Sequence, residues 1–435
     1  MLLATGDVRA RHRYFHIALL ALIAARLVIS VASGTGYYWD FVNFYNTGSR
    51  MYHGEGVDLY HVAAPIAGRP PMGSSRFEYV GFPLSAYVFA PLGALAPRPA
   101  LLAFKAACAA CFALGLVVLF RHFRLFLGDG WQPDQDLSWC LLLILLFEPL
   151  WSVFVIGGQA TPLVFLLLAV FLRSYTSDRL WLAAACLSTA ALIKPFVGVM
   201  VVVFVMAGDW QLLLRLAGCV AVEAAASLLL FGWQPHLEWF HIVLKESSRW
   251  AVPWWGNCSL LAFFGNFWLY GGRPEFGLPP VPPMFAGLQV VAKIGLMATF
   301  LWLVRSARAA HFSPEEKRNY YVFLAVLFPL FLSTVVWTHY LAFLLIPLLF
   351  LLVRYRSLPK YVRVLTVLIL ISTVRANFWP IMPYMLDAIP VHTVLAKAAV
   401  GVYGSGTLIL TLILLLAFHR DMLHTQRCFR APCAA

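Results

Sequence analysis

The chain has 435 residues, 62% of them hydrophobic and 12% charged, about half the charge density of a soluble domain. Apolar stretches of about twenty residues recur from Tyr14 to Phe418, too many for a soluble core to absorb, so the sequence specifies a polytopic membrane protein without a separate soluble domain. The formal charge of +13 falls in short clusters between these stretches, which excludes a nucleic-acid-binding patch, and the eight cysteines show neither a disulfide framework nor metal-ligand spacing.

Arg9, Arg11 and Arg13 precede the first apolar run. That run is too long for a signal peptide and lacks a small-residue cleavage site followed by a polar mature region. It is expected to be the first transmembrane helix, 14–33, with its N-terminus in the cytoplasm. The polar stretch 34–80 then forms a long first outer loop carrying short interfacial helices. Apolar runs follow at 82–97, 100–120, 138–156, 159–173, 180–207 and 210–231, the fifth interrupted by Lys194-Pro195. Arg121-His122-Phe123-Arg124 has cytoplasmic character, yet simple helix counting puts it outside. One segment here must be short, broken or re-entrant, and discontinuous helices point to a site.

A second large outer region, 232–282, leads to a span at 284–304. Two basic clusters, Arg305 to Arg318 and Arg354 to Arg363, are cytoplasmic by the positive-inside rule. The spans between them, 320–336 and 340–353, must therefore meet at an outward turn, Val336-Trp337-Thr338-His339. Further spans at 362–379 and 396–418 flank an outer loop with Asp387, and a cytoplasmic tail occupies 419–435. The total is about eleven or twelve spans in a single all-α membrane domain, 1–435.

Asp40, directly after Tyr37-Tyr38-Trp39, stands where the first helix leaves the bilayer. Low polarity there raises a carboxyl pKa and suits a general base. Asp40 is equally placed to cap an interfacial helix over Phe41-Val42-Asn43-Phe44-Tyr45. Lys194 lies in an apolar run, where a charge needs a partner, a phosphate or a route to the interface. Arg26, Glu148 and Glu223 are also intramembrane, and pairing of Arg26 with either acid is the structural expectation. Trp250 to Asn257 is an aromatic outer segment suited to an interfacial belt or to stacking on sugar or lipid.

Several landmarks together resemble glycosyltransferase family 87. These are Asp40, the Asn43-Phe44-Tyr45-Asn46-Thr47-Gly48 helix leading to His53-Gly54-Glu55-Gly56 and Leu59-Tyr60, Phe77-Glu78-Tyr79-Val80-Gly81-Phe82-Pro83, Gly158-Gln159-Ala160-Thr161-Pro162, Ile193-Lys194-Pro195, Gly256-Asn257-Cys258-Ser259 and Trp337-Thr338-His339-Tyr340. Val80-Gly81 departs from the family's Tyr-Pro-Pro segment, and Thr161-Pro162 replaces its usual asparagine step.

The resemblance implies a GT-C-type membrane fold and a polyprenyl-phosphate sugar donor. It implies transfer of mannose, another hexose or arabinofuranose to a lipid-linked or cell-envelope glycan, with inversion at the anomeric carbon. Asp40 takes the position of the general base, with Glu78 as its rival. His339 is expected to bind the donor phosphate or share the proton, unless it merely ends a helix at the interface. Lys194 and Arg375 are candidates for the donor phosphate, and Gln159, Asn257, Trp255, Tyr45 and His53 for substrate binding. No cofactor or metal is expected, since Lys, Arg and His suffice for a phosphate-linked donor. Membrane lipids are the other partners, and a bacterial plasma membrane with the site on its outer face is the expected location. A transporter or flippase of lipid-linked sugars is the alternative, although no related halves are visible. A ligase moving a whole oligosaccharide from a pyrophosphate carrier is a third.

Overall fold

The computed structural model describes residues 2–32, 39–61, 64–68, 70–71, 79–127, 133–154, 158–248, 257–263, 283–353, 358–374 and 394–428. All regular elements among them are helices. Five are long and apolar enough to cross a membrane: Arg13–Ala32, Pro97–Leu125, Trp210–Phe231, Met284–Ala309 and Ser405–Leu423. Shorter apolar helices cover Leu137–Leu146, Thr161–Thr176, Leu180–Ile193, Pro195–Ala207 and Thr338–Leu352. The chain forms two compact units, one of residues 24–125 and 151–248 and the other of 1–23, 126–150 and 249–435.

The first unit carries the later part of α1 (Leu2–Ala32), then α2 (Trp39–Tyr52) and α3 (Pro97–Leu127). Between α2 and α3 the chain does not make the span expected at 82–97. It forms a 3-10 helix, Pro83–Ala94, with Pro91 inside it. Proline removes a backbone donor and its ring obstructs a regular α-helix, which accounts for the tighter, shorter form. This element lies against α2 at a glycine contact: a Cβ on Gly48 would fall 2.1 Å from the Phe89 carbonyl oxygen, and one on Gly93 2.7 Å from the Gly48 oxygen. Phe44 stacks on Phe89 at 4.6 Å between ring centroids.

The 3-10 helix packs with the loop helix and is not among the helices long and apolar enough to cross a membrane. The Arg121–Arg124 cluster lies in the last two turns of a continuous 31-residue helix. At about 1.5 Å per residue that helix exceeds the ~30 Å hydrocarbon core.

The unit continues with α6 (Thr161–Thr176), α7 (Leu180–Ile193), α8 (Val201–Ala207), α9 (Trp210–Phe231) and α10 (Gln234–Ser248). Helices α4 (Pro133–Leu146) and α5 (Glu148–Ser152) precede them in the chain. The expected interruption at Lys194-Pro195 is present. Lys194 is extended (φ −133°, ψ 95°) and Pro195 opens a 3-10 turn, Pro195–Met200, before α8. A residue before proline is driven out of the helical region, so the break is local chemistry. Gly208 at φ +69° ends α8, and Asp209 caps α9 by accepting from the Leu212 N–H at 3.2 Å. The intramembrane acid Glu223 accepts from Ser188 and Thr189, each at 3.1 Å, while Arg26 stacks over Trp151 at 4.8 Å.

The other unit contains α11 (Pro283–Ala309), α12 (Pro314–Leu332), α13 (Leu345–Val353), α14 (Lys360–Val374) and α15 (Val394–Cys428). A Ser313/Glu316 capping box starts α12. The segment expected as a tail from residue 419 begins as a continuation of α15, which runs on to Cys428. His419 is fully buried, with its Nδ1 2.8 Å from the Tyr320 hydroxyl and its Nε2 2.7 Å from Ser306 Oγ. A buried imidazole with both nitrogens engaged makes His419 part of the packed stretch of α15.

Candidate active site

Asp40 occupies the first turn of α2, inside the helix. A carboxylate there complements the helix dipole. Capping does not exhaust its role, because two chain breaks converge on it. The first is the approach to α6, where Gly158 has φ +65° and a Cβ at that position would lie 3.3 Å from the Phe41 Cβ. Glycine alone adopts this conformation without strain at so close an approach. The next residue, Gln159, is held by its backbone carbonyl, which accepts from Cys108 Sγ on α3 at 3.5 Å. The second break is the Lys194 step after α7.

The Lys194 Nζ donates to Gln159 Oε1 at 3.1 Å, and the Gln159 side chain is hydrogen-bonded to Asp40. Both Gln159 and Lys194 are buried, while Asp40 retains partial exposure. The order from the surface inward is thus carboxylate, amide, ammonium. Burial of the carboxyl raises the Asp40 pKa above the ordinary carboxylate range, and the Gln159 hydrogen bond and the Lys194 charge oppose that rise. A carboxylate with raised basicity and partial access can take a proton from a substrate hydroxyl. The ammonium of Lys194, expected to meet a lipid phosphate, is directed at a protein amide in this structure.

The rest of the first loop is organised around a residue that the sequence did not single out. Arg50 is only 2% exposed and donates to the backbone carbonyls of His61 (2.9 Å), Ala64 (2.6 Å) and Pro65 (3.4 Å). One planar guanidinium thereby shapes the loop after α2. The sequence signal available was a single arginine near the end of an amphipathic helix. Tyr60 donates to the Gly81 carbonyl at 2.7 Å, and Trp239 of α10 to the Val80 carbonyl at 3.2 Å. His61 bridges Asp58 (3.1 Å) and Glu238 (3.4 Å), joining the same loop to α10.

Two further residues expected to bind substrate follow Asp40 along or just beyond the same helix. Tyr45 donates its hydroxyl to the Leu95 carbonyl at 3.0 Å, tying α2 to the end of the 3-10 helix. His53 follows the last residue of α2 and is exposed. At ~1.5 Å per residue it lies about 20 Å along the helix from Asp40, too far to share a small ligand with it.

In the other unit, Asn257 is completely buried and its amide is taken up by the backbone of 334–336. Its Nδ2 donates to the Thr334 carbonyl at 2.9 Å, and its Oδ1 accepts from the Val336 N–H at 2.9 Å and the Ser259 N–H at 3.1 Å. The Cys258 N–H donates to the Val336 carbonyl at 2.7 Å. Two separate landmarks of the sequence, around 257 and around 338, are thus one structural feature. Asn257 serves here as a strut for the strap leading to His339. His339 lies in a 3-10 helix, Thr338–Leu344, edge-on to Tyr340 at 4.5 Å. Glu78, Trp255 and Arg375 lie outside the described residues. Among the described residues no three His, Cys, Asp or Glu side chains form a group that could hold a metal ion.

The family model of glycosyltransferase family 87 matches residues 79–315, more than half of the chain. Gln159, Lys194 and Asn257 fall within the match, and Asp40 and His339 outside it. Among solved structures, the chain is similar to ArnT from Cupriavidus metallidurans in the apo state, at 16% identity and a TM-score of 0.41, covering 96% of this chain and 78% of that one. Among curated proteins, none matches.

Proposed function

The chain belongs to glycosyltransferase family 87, and from that premise we propose that it transfers a sugar from a polyprenyl-phosphate donor to a hydroxyl of a lipid-linked or cell-envelope glycan, with Asp40 as general base. The observation that carries this reading is the Asp40 carboxylate itself, partly open at the head of the loop helix and backed by a buried amide and ammonium. The acceptor O–H gives its proton to Asp40 as its oxygen attacks the anomeric carbon. The carbon–oxygen bond to phosphate breaks, its electron pair leaves on the polyprenyl phosphate, and configuration inverts. The donor lipid stays in the bilayer, which suits a base at the mouth of membrane helices. The site then faces the outside of a bacterial plasma membrane, the sugar being a hexose such as mannose or a pentofuranose.

Family membership favours transfer over the transporter and flippase alternative. Lys194 is engaged by Gln159 and is not assigned to the donor phosphate in this proposal. Chelators are expected to leave transfer unchanged, and a requirement for magnesium would count against it.

Transfer from a synthetic polyprenyl-phosphate sugar tests the base. Asp40→Asn should lower the rate about 100-fold or more, with an unchanged melting temperature. Glu78→Gln should retain activity. A folded, active Asp40→Asn enzyme would sink the assignment, and a dead Glu78→Gln would transfer it to the rival acid.

A further inference from the structure

Gln159 occupies a position that few side chains can fill. On one side stands an ammonium, which has only hydrogens to offer; on the other stands a carboxylate, which in its ionised form has only lone pairs. A primary amide presents an acceptor at one end and donors at the other. With the Lys194 Nζ 3.1 Å from Oε1, the amide has a single orientation available, and its N–H end is turned to Asp40. The backbone on either side is equally fixed, by the Cys108 Sγ contact to the Gln159 carbonyl and by Gly158 lodged against Phe41.

We propose that Gln159 is a positioning residue that holds Asp40 ionised and aimed: locked by Lys194, it hands the influence of a buried charge to the carboxylate through an oriented N–H, and neither Gln159 nor Lys194 touches the substrate. The inference rests on the reading of Asp40 as base for its catalytic meaning, but the hydrogen-bonded relay itself does not. Its physical logic is a balance. A base inside protein gains proton affinity from desolvation, and if nothing opposed this, the carboxyl would be protonated and useless at neutral pH. Direct contact with an ammonium would overcorrect, lowering the carboxyl pKa and weakening it as a base. An amide placed between the two transmits a moderated effect. Among the described residues, the titratable groups around the relay are Lys194 from the break after α7 and the Cys108 thiol from α3, which neighbours both Lys194 and the Gln159 backbone.

Two readouts on the full-length protein in phospholipid nanodiscs test this. The first needs no substrate: infrared difference spectra across a pH series, in which the Asp40 carboxyl band is identified by its loss in Asp40→Asn. Gln159→Leu and Lys194→Met should each move the Asp40 midpoint upward by about one pH unit, a tenfold rise in proton affinity. The double variant should shift it by less than the sum of the two single shifts, because part of the Lys194 influence passes through the oriented amide. The second is transfer: the acid limb of kcat/KM should move by the same amount at unchanged donor KM. An unmoved midpoint in Gln159→Leu overturns the proposal, and so do single shifts that add in the double variant. A raised donor KM with the midpoint unmoved would make Gln159 a substrate ligand instead. Should Gln159→Leu fail to fold, Gln159→Asn, one methylene short of the bridge, must shift the midpoint in the same direction. An active Asp40→Asn enzyme would remove the base reading, while the infrared midpoints would still decide the relay.

Discussion

Two parts of this molecule hold buried polar side chains in opposite ways. Around Asp40 the bonds run from side chain to side chain, through charged groups, and end at a carboxylate with partial exposure. Around Asn257 nearly all of them run from side chain to backbone, through neutral groups, and end inside the protein. The first arrangement leaves proton-accepting capacity unspent at its outer end. The second spends its capacity in closing a strap. Burial and hydrogen bonding alone therefore do not mark a reactive group; what marks it is a chain of partners that stops short of saturation at the surface.

Substitutions at the two places should separate activity from stability, which is how the contrast can be broken. Asp40→Asn has the largest expected effect, the loss of about 100-fold or more in transfer given above, without loss of folding. If its melting temperature instead fell with its activity, the two regions would be alike. Gly48→Ala comes next. Its Cβ would fall 2.1 Å from a backbone oxygen, a neighbour that cannot swing away, so α2 must separate from the 3-10 helix. A destabilisation of about 1–3 kcal/mol is expected, read as a fall in denaturation midpoint in detergent. Asn257→Ala leaves the Val336 and Ser259 N–H groups and the Thr334 carbonyl buried without that partner, at a cost of ~1–3 kcal/mol. The protein that remains folded should transfer at near its normal rate. A kcat loss comparable to that of Asp40→Asn at full stability would return Asn257 to the substrate site. The smallest effect belongs to His53→Ala, at the far, exposed end of α2: less than about twofold on transfer, within the ±0.5 kcal/mol usual for surface substitutions.

The pH dependence sharpens the same contrast. The Asp40 pKa lies above the usual carboxylate range, so the ionised base is lost as pH falls through that raised value. Transfer should therefore decline at a higher pH than an ordinary aspartate would predict. The hydrogen bonds of Asn257 to Thr334, Val336 and Ser259 run to neutral backbone groups and should contribute nothing to that decline.

Much of this was legible in the chain. The interruption at Lys194 follows from the proline beside it, and the prominence of Asp40 from its place just after the first apolar run. Gln159 stood out only through the family pattern. The error at 82–97 has a simple cause, since hydropathy registers that a segment is apolar and does not register whether it crosses or turns back upon a loop helix. Tyr45 and His53 share the first loop with Asp40 in sequence, and the helix sets them about 7.5 Å and about 20 Å from it along its axis. Asn257 is a neutral amide of the kind that holds sugar hydroxyls, and the sequence does not show that it has backbone partners 77 and 79 residues away.

What the sequence determined by itself was local: the membrane class, most of the apolar helices, the break before Pro195 and the acid just after the first span. Each follows from the hydrophobicity or backbone preference of neighbouring residues. What only the tertiary structure decided was which polar groups meet. Asp40, Gln159 and Lys194 lie on three separate elements, and their alignment as acceptor, amide and donor depends on a glycine-mediated approach and a proline-mediated break that bring those elements to one point. A hydrogen bond acts over about 3 Å, and no pattern along the chain encodes which distant residue will stand at that distance.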